Sequence, residues 1–265
     1  MIRYANVDGQ LREPDKGLKG ICPGCNKSLT AKCGPIKIHH WAHERGSDCD
    51  HWWEPMTQWH LDWQNNFAPA WCEVIFRDEQ SGEFHRADIH TPKGVTIEFQ
   101  HSTLSFEELE SRNSFYKKLI WVVNAQPFKE QITFIEAIPN PQSMLLANFT
   151  FSVDATGLAK FLQLYSKEEP RVYDPRILPR IYSLNDPELQ EVAEEYEKGE
   201  KRYWLFSWKN KRSGWLESSA PVLLDFGDEF LYWIKKRMQK PFPLLYLQEV
   251  KKNEFLAKYT NQPDS

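Results

Sequence analysis

The stretch RADIHTPKGVTIEFQ, residues 86–100, constrains the fold more than any other part of the chain. Alternating apolar and polar residues on either side of a Pro-Lys-Gly turn read as an antiparallel hairpin. With Pro92, Lys93 and Gly94 as a three-residue loop, Gly94 takes the left-handed position that glycine alone adopts cheaply. Asp88 then faces Glu98, Arg86 faces Gln100 and Ile89 faces Ile97, because directly opposed residues share a face of the sheet. One face is apolar and the other carries two facing carboxylates. Two such charges about 4–5 Å apart repel by roughly 4 kcal/mol at an effective dielectric near 20. A divalent cation between them reverses the sign, which makes Asp88 and Glu98 candidate ligands for Mg²⁺ or Mn²⁺. Mg²⁺ in particular binds through one or two carboxylates and keeps several waters. Gln100 shares their face, where it would position a water or a phosphate. The competing reading is a solvated face on which Arg86 neutralises the acids.

The flanks suggest a mixed α/β sheet. A helix is expected from Pro55 to Phe67 with Glu54 at its N-cap, burying Met56, Trp59, Trp63 and Phe67 at helical spacing. A strand over Cys72–Arg77 precedes the hairpin. A second helix starts at Ser105, where Ser105 and Glu108 form a capping box, and runs to about Leu119. LIWVV, residues 119–123, reads as a strand buried on both faces. The order is helix, three strands, helix, strand. Beyond it the pattern gives strands near 132–138 and 146–152, a helix near 155–165, a proline-rich linker over 167–187 and a helix over 187–198 closed by Gly199. RYWLFSWKNKRSGWLE reads as two aromatic strands around a basic turn, and DEFLYWIKKRM as an amphipathic helix. The chain therefore divides into 1–50, a central domain over 51–166, a linker and helix over 167–200, and a C-terminal α+β region over 201–265.

The first fifty residues hold CPGC at 22–25 and HHWAH at 39–43. Cys22, Cys25, His40 and His43 give C-x2-C-x14-H-x2-H, two close pairs separated by a hairpin, which suits tetrahedral, structural Zn²⁺. His39, Cys33 and Cys49 are rival ligands. The segment looks too short of apolar residues for a core of its own, so metal would supply its stability.

Five cysteines in 265 residues do not make a disulfide framework. The polar N-terminus lacks the apolar run of a signal peptide, and no run of about 18 apolar residues appears. A cytoplasmic protein without membrane contact is expected, with a homo-oligomer left open. Net charge is −4, yet residues 201–265 carry 12 Lys and Arg against 7 Asp and Glu, a local +5. There Lys209, Lys211 and Arg212 lie beside Trp204, Phe206, Trp208 and Trp215, a pairing of phosphate attraction with stacking surfaces that single-strand binders use. A hydrophobic core with a solvated basic rim is the alternative.

The D-x9-E-x-Q spacing after a Glu-bearing helix resembles the PD-(D/E)XK nuclease superfamily, with Gln in place of the usual Lys. More specifically, RADI, IEFQHS, Arg112, Tyr116 and IWVV, preceded by the Cys pair and His40–His43, resemble in order the CoiA-like competence proteins over about residues 20–125. Trp41 stands where that family usually has Phe, and Gln64 where its helix often carries Lys, which bears on that position's role. The resemblance implies a restriction-endonuclease-like core with Asp88, Glu98 and Gln100 as its active site, and it brings in Glu54 and His60. Glu54 equally suits a helix start without catalysis, and His60 equally suits packing among tryptophans. Arg112 and Tyr116, one helical turn apart, would hold a phosphate or form a structural ion pair. The function so implied is a metal-dependent nuclease acting on DNA, single-stranded or branched forms included. The alternatives are a non-catalytic DNA-binding recombination factor on a nuclease scaffold and a zinc-stabilised protein-interaction module.

Overall fold

The computed structural model describes residues 2–43, 49–52, 55–78, 82–168, 179–199, 201–209 and 213–260. Glu54, Lys211 and Arg212 lie outside them. The chain divides into two compact units, one of Met1–Asn124 with Ser218–Ala220 and Asn253–Ser265, the other of Ala125–Glu217 with Pro221–Lys252. No helix among the described residues is long and apolar enough to cross a membrane.

The first unit opens with five short strands, β1 (Ala5–Val7), β2 (Gln10–Arg12), β3 (Lys19–Ile21), β4 (Ser28–Lys32) and β5 (His40–His43), in the antiparallel order β2-β1-β3-β4-β5. The module has a small core of its own, against expectation. Ile2, Ala5, Val7, Cys22 and Leu29 surround Trp41, which is fully buried. Trp41 donates its indole N–H to the Arg12 carbonyl at 2.9 Å, so burying so large a ring leaves no orphan donor.

A four-stranded mixed sheet follows in the same unit: β6 (Cys72–Arg77), β7 (Phe84–His90), β8 (Thr96–Gln100) and β9 (Leu119–Asn124), ordered β9-β8-β7-β6. β6–β7 and β7–β8 are antiparallel, β8–β9 parallel. Helix α1 (Gln58–Gln64) lies on β8, with Trp63 stacked on Phe99 at 5.5 Å between ring centroids. Thr57 caps α1, accepting from the His60 N–H, so the helix begins three residues later than the Pro55 start expected. Helix α2 (Phe106–Phe115) makes the crossover from β8 to β9, capped by Ser105 as its sequence indicates and ending at Tyr116, short of Leu119. A parallel neighbour requires such a crossover, and β9 is buried at all six positions. The expected α/β architecture is present: a mixed sheet flanked by helices behind a small Cys/His module.

The second unit is built on an antiparallel sheet. Its strands are β10 (Ile132–Ile138), β13 (Tyr203–Trp208), β14 (Val222–Asp225), β15 (Phe230–Arg237) and β16 (Leu244–Lys251), ordered β10-β13-β16-β15-β14. A separate pair, β11 (Phe149–Phe151) and β12 (Leu164–Ser166), and helix α3 (Gln190–Lys198) belong to the same unit; Leu146, Phe151, Leu164, Leu189 and Val192 share one core with Leu205 and Tyr246. Three expectations are corrected here. DEFLYWIKKRM is strand β15, paired with β16 over eight residues, because its aromatic and β-branched run suits a pleated surface better than a helix. The second half of the 202–217 stretch is a short helix, α4 (Ser213–Glu217), and not a strand. No helix forms over 155–165, where Gly157 takes a left-handed φ of 78° inside a turn held by Asp154. Helix α5 (Lys252–Thr260) belongs from Asn253 onward to the first unit, where Phe255 packs against Trp63. The second unit begins at Ala125, ahead of β10, which pairs with β13.

Candidate functional site

Cys22 and Cys25 sit in the turn between β3 and β4, where the Cys22 N–H bonds the Lys27 carbonyl and the Asn26 N–H bonds the Cys22 carbonyl. β5 brings His43 alongside, and Cys49 completes the group. One ligand atom from each of Cys22, Cys25, His43 and Cys49 lies within 4.8 Å of the others. The Cys22–Cys49 sulfur separation is 3.8 Å and Cys25 Sγ is 3.2 Å from His43 Nε2. A zinc tetrahedron with Zn–S bonds near 2.3 Å has sulfur–sulfur edges of roughly 3.8 Å, so this donor set fits Zn²⁺. The Cys49 thiol, donating its hydrogen bond, draws the Cys22 thiol down to about 4 against the opposing effect of burial. The same shared proton pushes the Cys49 thiol up.

His40 lies outside this group. Residues three apart on a strand point to opposite faces, so β5 cannot direct His40 and His43 to one centre, and His40 Nδ1 instead lies 2.8 Å from the Ile38 carbonyl. Cys49, one of the rivals, takes its place; Cys33 and His39 are absent from the group. His40→Ala is therefore expected to retain one zinc per chain by elemental analysis, while Cys49→Ser is expected to lose most of it. Equal loss from both would restore His40.

The hairpin of β7 and β8 follows the register read from its sequence. Ile89 pairs with Ile97 and His90 with Thr96, and Gly94 has φ of 70°. Nearer the strand ends the carboxylates replace ladder bonds. Asp88 Oδ2 accepts from the Phe99 N–H at 2.8 Å, and Glu98 Oε1 from the Asp88 N–H at 3.3 Å. Each acid is thus held by the other strand's backbone. His60 on α1 reaches Asp88 Oδ1 with Nε2 at 2.8 Å, so it does not merely fill space among tryptophans. Glu73 sits between the Cys72–Ile89 and Val74–Ala87 pairs, and thus opposite Asp88. Its φ of 53° is uncommon for a side-chain-bearing residue, and its carboxylate accepts the N–H groups of Arg3 and Tyr4 at 2.8 and 3.2 Å. Nothing in the local sequence marks that role.

This face is not a solvated surface. Glu98 is 5% exposed and Gln100 1%, and they border a cavity of about 50 Å³ whose wall also includes Asp50, His60, Asp88 and Arg112. One water needs roughly 10–15 Å³ of such space, so a cation with part of its hydration shell fits. Gln100 donates from Nε2 to the Ser102 carbonyl and hydroxyl at 3.2 and 3.3 Å. Arg86 also lines the cavity, yet its guanidinium lies 3.6 Å from Cys22 Sγ and interacts with the Glu73 and Asp50 charges more than with Asp88 or Glu98. Arg112 pairs with Glu98, its Nη1 3.4 Å from Oε2, while its other nitrogens bond Glu108 and the Trp52 carbonyl. Arg112 is thereby a structural cation at the cavity wall. Tyr116 is buried against Trp52, Phe76 and Phe115, with no atom on that wall, which does not suit the phosphate contact expected of it.

Burial, and then the Asp88 charge, push the Glu98 carboxyl well above the usual carboxylate range; Arg112 offsets them only in part. The native state then holds a proton that the unfolded chain has released. Native stability is therefore expected to fall as pH rises from the ordinary glutamate range toward the raised native value, by up to about 1.4 kcal/mol per pH unit. Glu98→Gln should flatten that slope in melting curves across pH. An unchanged slope would assign it to another group.

In the second unit Phe206, Trp208 and Trp215 are buried, and half-buried Trp204 donates its indole N–H to Glu249 at 2.9 Å. Phe206, Trp208 and Trp215 are core residues, not stacking surfaces. Lys209 is exposed at the end of β13.

Residues 10–51 match the family model described as Competence protein CoiA, N-terminal domain, and residues 81–164 match the one described as Competence protein CoiA, nuclease-like domain. Together the two matches support the CoiA-like competence protein family. In this chain the first match spans Cys22, Cys25, His43 and Cys49, and the second spans Asp88, Glu98, Gln100 and Arg112. No curated protein and no solved structure matches the chain.

Proposed function

We propose that the chain is a metal-dependent nuclease that hydrolyses phosphodiester bonds in DNA, with Asp88 and Glu98 as ligands of Mg²⁺ or Mn²⁺. The observation that carries this reading is the pair of backbone-anchored carboxylates facing a cavity of about 50 Å³, with Arg112 within ion-pair distance of Glu98 and Arg86 also on the wall. Arg112 offsets the repulsion between the two acids only in part, and a divalent ion would supply the remaining positive charge. When bound, the ion would polarise a phosphodiester and lower the pKa of a water.

The chain's own residues would do the rest. His60 fixes the Asp88 carboxylate from α1, as partners behind a ligand commonly do. Gln100, tethered to Ser102, holds a neutral amide at the cavity, where it would orient a phosphate or a water without adding charge. Arg112 keeps the buried Glu98 from repelling Asp88 unopposed. The Cys22–Cys25–His43–Cys49 group would hold zinc as a structural ion. DNA is the proposed partner; exposed Lys209 is a candidate phosphate contact, and neutralising it should flatten the salt dependence of binding if it is one.

The test is cleavage of supercoiled plasmid and of short single-stranded and branched DNA with Mg²⁺, Mn²⁺ or EDTA. Cleavage that needs the ion supports the reading. Metal-independent binding without cleavage would favour a non-catalytic DNA-binding factor, for which the Gln100 amide in place of a lysine ammonium is the specific argument.

A further inference from the structure

The Cys/His centre and the acidic cavity are joined by a short chain of bonds. Cys49 is followed directly by Asp50, which is on the cavity wall. Asp50 Oδ1 lies 3.0 Å from His85 Nδ1 and accepts from the Trp52 N–H at 3.0 Å, and Oδ2 accepts from the Arg86 N–H at 2.9 Å. Both Asp50 oxygens are thus bonded to the chain. The bond to Arg86 grips β7 two residues before Asp88. The bond to Trp52 shapes the segment whose carbonyl accepts from Arg112 Nη2 at 2.9 Å, and Arg112 in turn faces Glu98. Trp52 is fixed further by stacking on His85 at 3.2 Å between centroids. A second link runs parallel: the Arg86 guanidinium points at Cys22 Sγ, where it would offset the net negative charge of three thiolates around one Zn²⁺.

We propose that Asp50 is the positioning residue through which the Cys₃His centre sets the cation affinity of the Asp88–Glu98 pair. This rests on the reading of that pair as a divalent-ion site. With zinc bound, Cys49 is fixed and Asp50 holds β7 and Trp52 in register. Without zinc, the backbone carrying Asp50 loses its anchor, and Arg86 and Arg112 lose the geometry that places the two acids. Partners behind a ligand typically alter metal affinity 10- to 100-fold, and zinc loading would regulate the acidic site within that range.

The experiment compares the full chain with Asp50→Asn, His85→Gln and Glu98→Gln, and with the full chain after zinc chelation. Zinc content is read by elemental analysis, Mn²⁺ affinity and line shape by electron paramagnetic resonance, and backbone protection by amide hydrogen exchange. Asp50→Asn is expected to keep one zinc yet bind Mn²⁺ at least 10-fold more weakly, with faster exchange at Arg86, Asp88 and Phe99. His85→Gln should move the same way by a smaller factor, and zinc chelation should reproduce the Asp50→Asn result. Glu98→Gln should lose Mn²⁺ while keeping zinc and the protection at Arg86. Asp50→Asn with one zinc, parental Mn²⁺ affinity and parental exchange would overturn the proposal. If the parent itself binds no Mn²⁺, the divalent-ion reading fails. The proposal falls with it as stated, and the exchange data then decide whether the coupling alone exists.

Discussion

Asp88→Asn and Glu98→Gln are each expected to lower DNA cleavage by about three orders of magnitude, equivalent to roughly 4 kcal/mol of lost transition-state stabilisation. Both changes preserve shape and keep one hydrogen-bond acceptor for the opposing N–H, so the β7–β8 hairpin should remain paired. Glu98→Gln also removes a raised carboxyl beside Asp88, so its melting temperature without divalent ion should hold or rise above neutral pH. The parent, but not the variants, should gain melting temperature when Mg²⁺ is added. Cleavage rates run beside melting curves with and without Mg²⁺ check both limbs. Parental rates in either variant would place the chemistry elsewhere.

Arg112→Ala should destabilise the first unit by about 3–5 kcal/mol, the usual cost of leaving a buried charge without its partner. Three things are lost together: the ion pair to Glu98, the bond to the Trp52 carbonyl and the pairing with Glu108. The loss should be smaller at acid pH, where Glu98 is neutral, and should grow as pH rises through its raised native value. A double-mutant cycle isolates the pair: Glu98→Gln should recover part of the stability of Arg112→Ala, because a neutral amide needs no counter-charge. Equal losses in both backgrounds, by chemical denaturation, would mean that Arg112 acts through Trp52 and Glu108 alone.

The hairpin was readable because its information is local. Alternation set the faces, Gly94 set the loop, and Asp88 and Glu98 fell opposite each other. The LIWVV strand and the Ser105 cap were legible for the same reason. The Cys/His group was legible only in part, since HHWAH gives a pair of histidines but not the face each one takes. Reading that segment as a strand would have separated His40 from His43 by the two-residue period. Cys49 and Asp50 enter from a stretch six residues past His43 that has no motif of its own. The linkage from Asp50 through Arg86 and Trp52 to Arg112 is long-range, which residue spacing cannot encode. In the second unit, FLYWI in β15 is apolar at several spacings at once, and pairing with β16, not periodicity, decides it.

The most direct test of the divalent-ion site is anomalous diffraction from crystals of the full chain soaked in Mn²⁺. The account predicts a manganese peak within about 2.0–2.3 Å of a carboxylate oxygen of both Asp88 and Glu98, and no such peak in crystals of Asp88→Asn. Manganese bound only at other carboxylates, by a protein that cleaves DNA in the same buffer, would contradict it.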